Sequence, residues 1–140
     1  RIAQVKDGIN NQGRAHSSNP AKLEHRGLYF RSQVEIDFFK ALYAAGYLVA
    51  PLPVFVHKPT VRRVEPDFVI VKFGMWAIIE IDGKAWHSES PVEAAKRVEP
   101  FTDEDVRIIR FDDEELGSKA GIEKALKKIA AKFENWQKVR

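Results

Sequence analysis

Apolar and polar positions follow two different periods along the chain, and the places where the period changes mark its elements. From Ser32 onward, Val34, Phe38, Phe39, Leu42 and Tyr43 recur at helical spacing, and Gly46 stands where a helix C-terminal glycine belongs. Ser32-Gln33-Val34-Glu35 reads as a capping box, which fixes the start of that helix. Tyr47 to Val56 is an apolar run broken by Pro51 and Pro53, so an edge or irregular strand is expected, because proline lacks the ladder donor. His57 to Arg63 reads as a basic loop. Asp67 to Phe73 and Met75 to Asp82 are strand patterns separated by Gly74, which predicts an antiparallel hairpin. Ser90-Pro91-Val92-Glu93 signals a second helix, with proline just inside its start and Pro100 at its end. Val106 to Phe111 is short and β-rich, hence a strand. From about Asp113 to Val139 the period is helical again, with Ile122, Leu126, Ile129, Phe133 and Trp136 as the apolar stripe.

The expected order is helix, three strands, helix, strand, helix. That is an α/β or α+β domain: a mixed β-sheet of about four strands flanked by helices. Residues 1–22 read as a flexible arm, rich in Asn, Ser and Gly and carrying Arg1, Lys6, Arg14 and Lys22. Residues 23–140 read as a single domain, a natural count for a chain of 140 residues.

Composition narrows the chemistry. The chain has no cysteine, which removes disulfides, thiolate zinc sites, iron–sulfur clusters and cysteine nucleophiles. No apolar run approaches the roughly 20 residues of a membrane span. No secretory leader is visible and the first residue is Arg1, so a fragment or a processed product in a reducing compartment such as the cytoplasm is expected. The net charge of +3 permits a nucleic-acid partner without arguing for one.

The candidate chemistry lies in Pro66-Asp67 and Glu80-Ile81-Asp82-Gly83-Lys84. Side chains alternate across a strand, so Glu80 and Asp82 share one face, and Lys84 joins it if the strand continues. Folding the hairpin about Gly74 brings Asp67 opposite position 81 or 82. Three converging carboxylates repel one another unless a Lys, an Arg or a divalent cation lies between them. Hard oxygen ligands suit Mg²⁺ or Mn²⁺, and such an ion activates water and orients a phosphodiester. The plainer reading is turn chemistry at Asp67 and a solvated strand end at Glu80 and Asp82. Against it, the apolar run Trp76 to Ile81 implies burial, and buried carboxylates need compensation.

Pro66-Asp67, with Glu80 thirteen positions later and Asp82 two further on, resembles the PD-(D/E)XK nuclease superfamily over about residues 30–136. The resemblance implies a restriction-endonuclease-like core and Mg²⁺-dependent hydrolysis of DNA, with Mn²⁺ able to substitute. It implies Asp67, Glu80 and Asp82 as metal ligands and Glu35 on the first helix as support for the metal shell. Asp82 stands where the family has lysine, whereas Asp82-Gly83-Lys84 offers the usual residue types two positions later. The first register is favoured, because its acid directly follows the apolar strand. Ile79-Glu80-Ile81-Asp82-Gly83 with a histidine shortly after is similar to the very-short-patch-repair branch, which makes His87 the candidate histidine. Lys84 or His87 would then assist proton transfer or charge neutralisation. Lys96 and Arg97 are further phosphate candidates, though a solvated helix face is the favoured reading, and Arg107 and Arg110 are open to the same two readings. His16, His25 and His57 read as surface histidines. Trp76 and Trp136 read as core or hinge aromatics, and Trp86 lies in the loop beside the site. Two other readings stand beside the nuclease: an inactive nuclease-fold module that binds nucleic acid or a protein, and an unrelated interaction domain. A cutter of both strands would need two copies of so small a domain, or a larger protein context.

Overall fold

The computed structural model describes residues 21–57, 62–83 and 99–139. The expected arm (all but its last two residues), the helix from Ser90, and Lys84, Trp86, His87, Lys96, Arg97 and His16 lie outside them, as does the side chain of His57. The fold is α+β, built on a four-stranded mixed sheet.

The first helix, α1 (Gln33–Ala44), starts where the capping box puts it: Ser32 is extended, and its Oγ accepts from the Glu35 N–H at 3.3 Å. The Glu35 carboxylate reaches one residue further back than the standard box and accepts from the Arg31 N–H at 3.2 Å. Gly46, at φ 94°, turns the chain out of the helix in a conformation that suits glycine. Ahead of α1, β1 (Leu23–His25) and β2 (Leu28–Phe30) form a small hairpin that the apolar pattern did not reveal. His25 in it is not a surface histidine: its ring packs edge-on against Phe39 and tilted against Phe30.

The sheet runs β3 (Leu48–Pro51), β6 (Phe68–Lys72), β7 (Met75–Asp82), β8 (Arg107–Asp112), with β3 at the edge, where its Pro51 fits. β3, β6 and β7 are antiparallel neighbours, and β8 lies parallel to β7. The chain after β3 forms β4 (Phe55–His57) and β5 (Arg62–Val64), which pair into a ribbon, so the expected basic loop is flanked by strand on both sides. The last helix, α2 (Lys119–Lys138), begins six residues later than its apolar pattern suggests, after turns over residues 113–118, with Ser118 as N-cap.

Alternation along β7 sorts the core into two layers. Ala77, Ile79 and Ile81 face α1 and α2 and meet Phe38, Leu42, Ile129 and Phe133 in the main core. Phe38 stands edge-on to Phe68 and to Phe111, which ties α1 to two strands. Ile78 faces the other way, against Phe101 from the helical residues 99–103 and against Phe55 of the ribbon. Glu80 and Asp82 belong to that second face by register. Trp76, expected inside, is 40% exposed at the hairpin end, and Trp136 is partly buried on the main core with the Arg107 guanidinium 4.9 Å from its ring centre.

Gly121, in the first turn of α2, passes so close to the Glu115 carbonyl that a Cβ would overlap it. Helix propensity alone predicts a gain of about 1 kcal/mol for Gly121→Ala. The packing predicts the opposite sign: a loss of at least about 1 kcal/mol in a denaturant titration.

Candidate active site

The β6–β7 hairpin is closed by a two-residue turn, Phe73 at φ 55° and Gly74 at φ 73°. Two positive φ values are the mark of a type I′ turn, whose twist matches that of the strands. The turn pairs Phe68 with Ile79 and Lys72 with Met75. Continued by one residue, this register sets Asp67 opposite Glu80, one position away from the pairing inferred by folding about Gly74.

Asp67 is then fixed from both sides. Its carbonyl accepts from the Leu52 N–H at 2.9 Å, and its Oδ2 accepts from the Ile81 N–H at 2.7 Å. Leu52 itself is fully buried at φ 46°, a costly conformation for a branched residue, and it is held there between core and strand end. Asp67 is 5% exposed and Glu80 0%. Pro66 precedes Asp67, and Glu65, two residues before it, is also buried at 1%.

Arg31 and Glu65 carried no signal in the sequence reading and prove central. The Arg31 guanidinium is 7% exposed; one arm pairs directly with Glu65 Oε1, and its Nη1 lies 3.9 Å from Asp67 Oδ1. With its backbone N–H on Glu35, Arg31 touches three acids at once. A buried acid two residues before a strand-opening aspartate, and an arginine beside a helix N-cap, are the only hints the sequence carries.

Glu35, expected to support the site from α1, does come to it. Burial, and next the charge of Asp67, push its carboxyl from 4.5 up to about 7, against the pull of Arg31 and Ser32. Asp82 behaves differently. Although it shares a strand face with Glu80, it is about 40% exposed on its side chain and pairs with Arg110 at 3.2 Å. Asp67 is therefore set opposite Glu80 by the register and lies close enough to Glu35 for its charge to act there, whereas Asp82 is drawn to the parallel neighbour β8. Among the described residues no group of three or more His, Asp or Glu side chains forms a ready metal-ligand set. No helix among them is long and apolar enough to cross a membrane. No family model and no curated protein matches the chain.

Because the folded state raises the Glu35 pKa, it holds a proton that the unfolded chain releases between about pH 4.5 and 7. The stabilisation is complete below 4.5 and is lost as pH rises through 7. Glu35→Gln, which keeps the acceptor for the Arg31 N–H, should flatten that slope. By pH 8 it should be the more stable protein by a margin on the order of 3 kcal/mol, read from urea unfolding across the pH range.

Proposed function

We propose that this protein is a divalent-cation-dependent endonuclease that hydrolyses DNA phosphodiesters on a restriction-endonuclease-like core. What carries the reading is Asp67, buried at one end of the β6–β7 hairpin, set by register opposite the buried Glu80 and close enough to Glu35 of the first helix for its charge to raise that carboxyl's pKa. The order helix, antiparallel strands, crossover and parallel strand agrees with the same core.

The donor set suits a hard cation. The Arg31 guanidinium lies between two buried carboxylates, of Glu65 and Asp67; Glu35, on the Arg31 backbone N–H, holds a proton near neutrality, and buried Glu80 stands opposite Asp67 by register. A divalent ion relieves such crowding, and carboxylate oxygens are the ligands Mg²⁺ and Mn²⁺ prefer. Asp67 and Glu80 would hold it, with Asp82 as third ligand or in the place the family gives to lysine. When bound, the cation supplies an acidified water and neutralises charge on the phosphoryl oxygens.

The chain's own groups do the rest. The Ile81 N–H and the Leu52 N–H orient Asp67 from its two sides. Glu35, titrating near neutral pH, takes or returns a proton within the working range of a general base. Lys84 and His87, outside the described residues, are the candidates for steadying the attacking water and the leaving oxygen. The partner is DNA, engaged in a reducing compartment such as the cytoplasm, by a homodimer or within a larger protein.

One observation favours a second reading. Asp82, which occupies the lysine position of the family pattern, is engaged by Arg110. In that case the fold binds nucleic acid without cutting it.

Plasmid incubated with the protein and Mg²⁺ or Mn²⁺ should be nicked, and chelator should stop it. Asp67→Asn keeps an acceptor for the Ile81 N–H and should lower the rate by at least about 100-fold. Nicking that survives both chelator and the substitution refutes the nuclease reading. A gel shift that weakens with salt, without nicking, establishes the second.

A further inference from the structure

Arg31 holds its two acids unequally. The arm toward Glu65 makes direct contact, whereas the arm toward Asp67 stands at 3.9 Å, within ion-pair range yet longer than a hydrogen bond. The acceptor it faces, Oδ1, is the Asp67 oxygen that does not receive the Ile81 N–H. The guanidinium cannot drift, because Glu65 is 1% exposed and anchors it from a residue 34 positions away, and because its own backbone N–H is tied to Glu35 at the start of α1. A planar fork with one arm pinned and one arm adjacent to a site carboxylate delivers a fixed positive charge beside that carboxylate.

We infer that Arg31, pinned by Glu65, is the resident counter-ion of the carboxylate cluster and a positioning residue that weakens divalent-cation binding at Asp67. This rests on the cluster being the cation site. Buried carboxylates without a cation are costly, so the fold carries its own positive charge to keep Asp67 in place while the site is empty. The same charge repels an incoming divalent ion, so binding and release remain reversible. Glu65 is then an anchor for Arg31, which explains a fully buried acid next to the motif that the hydrolytic reading leaves without a task.

The test is Mn²⁺ binding to the full chain, by calorimetry and by the loss of the free-ion electron paramagnetic resonance signal, with no nucleic acid present. Arg31→Met alone leaves Glu65 buried beside an apolar side chain and should lower the melting temperature. Arg31→Met with Glu65→Gln removes both charges together and should recover most of that loss. The double variant should bind Mn²⁺ at least about tenfold tighter than Glu65→Gln alone, from which it differs by the guanidinium charge, the worth of one unit charge near a divalent ion even under water-like screening. Arg31→Lys, which keeps the charge, should stay within about twofold of the wild type. Equal binding by Glu65→Gln and by the double variant overturns the counter-ion role and leaves the cation site standing. Absence of Mn²⁺ binding in wild type and double variant alike overturns the cation site, and the counter-ion role with it.

Discussion

The turn at Phe73 and Gly74 sets the hairpin register, and the register decides where each acid stands. Side chains alternate strictly along a strand, so a slip of one residue would send Glu80 into the apolar layer against Phe38 and bring Ile79 to the acidic end. The large apolar residues of β6 and β7 resist that slip: Phe68, Ile70, Ala77 and Ile79 are all fully buried on the side facing α1 and α2. Core packing and site geometry are thus one constraint.

The cost of this arrangement is electrostatic. Carboxylates taken out of water are disfavoured as ions, and bringing them together adds repulsion. The protein answers locally in three ways. Arg31 lends a guanidinium to Glu65 and Asp67, the Ile81 N–H bonds to Asp67, and Glu35 takes up a proton as the pH falls through about 7. Arg110 does the same for Asp82 at the more exposed rim. Such a cluster lowers the stability of the fold at neutral pH, and strain at Leu52 lies next to it. Costs gathered at one place are what a functional site shows when the surrounding core is strong enough to carry them.

The two faces of the sheet divide the labour. One is sealed by α1 and α2 through aromatic contacts such as Phe38 with Phe111 and Tyr47 with Phe133. The other face holds the acids near its end and meets Phe101 and Phe55. An acidic cluster mounted on a buried strand is held more firmly than one on a loop, which suits chemistry that depends on sub-ångström placement.

Much of this is written locally in the chain. Ser32 and Glu35 announce the start of α1, Gly46 its end, and Pro51 the edge position of β3, because capping and ladder bonding act within a few residues. Alternation in Met75 to Asp82 separates Ile79 and Ile81 from Glu80, and the turn nearby brings Asp67 back, so the convergence of Asp67 and Glu80 is legible to within one residue. What the sequence could not reveal is who balances the charge. Arg31 meets Glu65 across 34 positions and Arg110 meets Asp82 across 28, and no period or spacing encodes such pairs. They exist because docking the start of α1 on the sheet end buries Arg31 against Glu65, where each charge must find a partner, and packing β8 parallel to β7 sets Arg110 beside Asp82 at a rim that water still reaches.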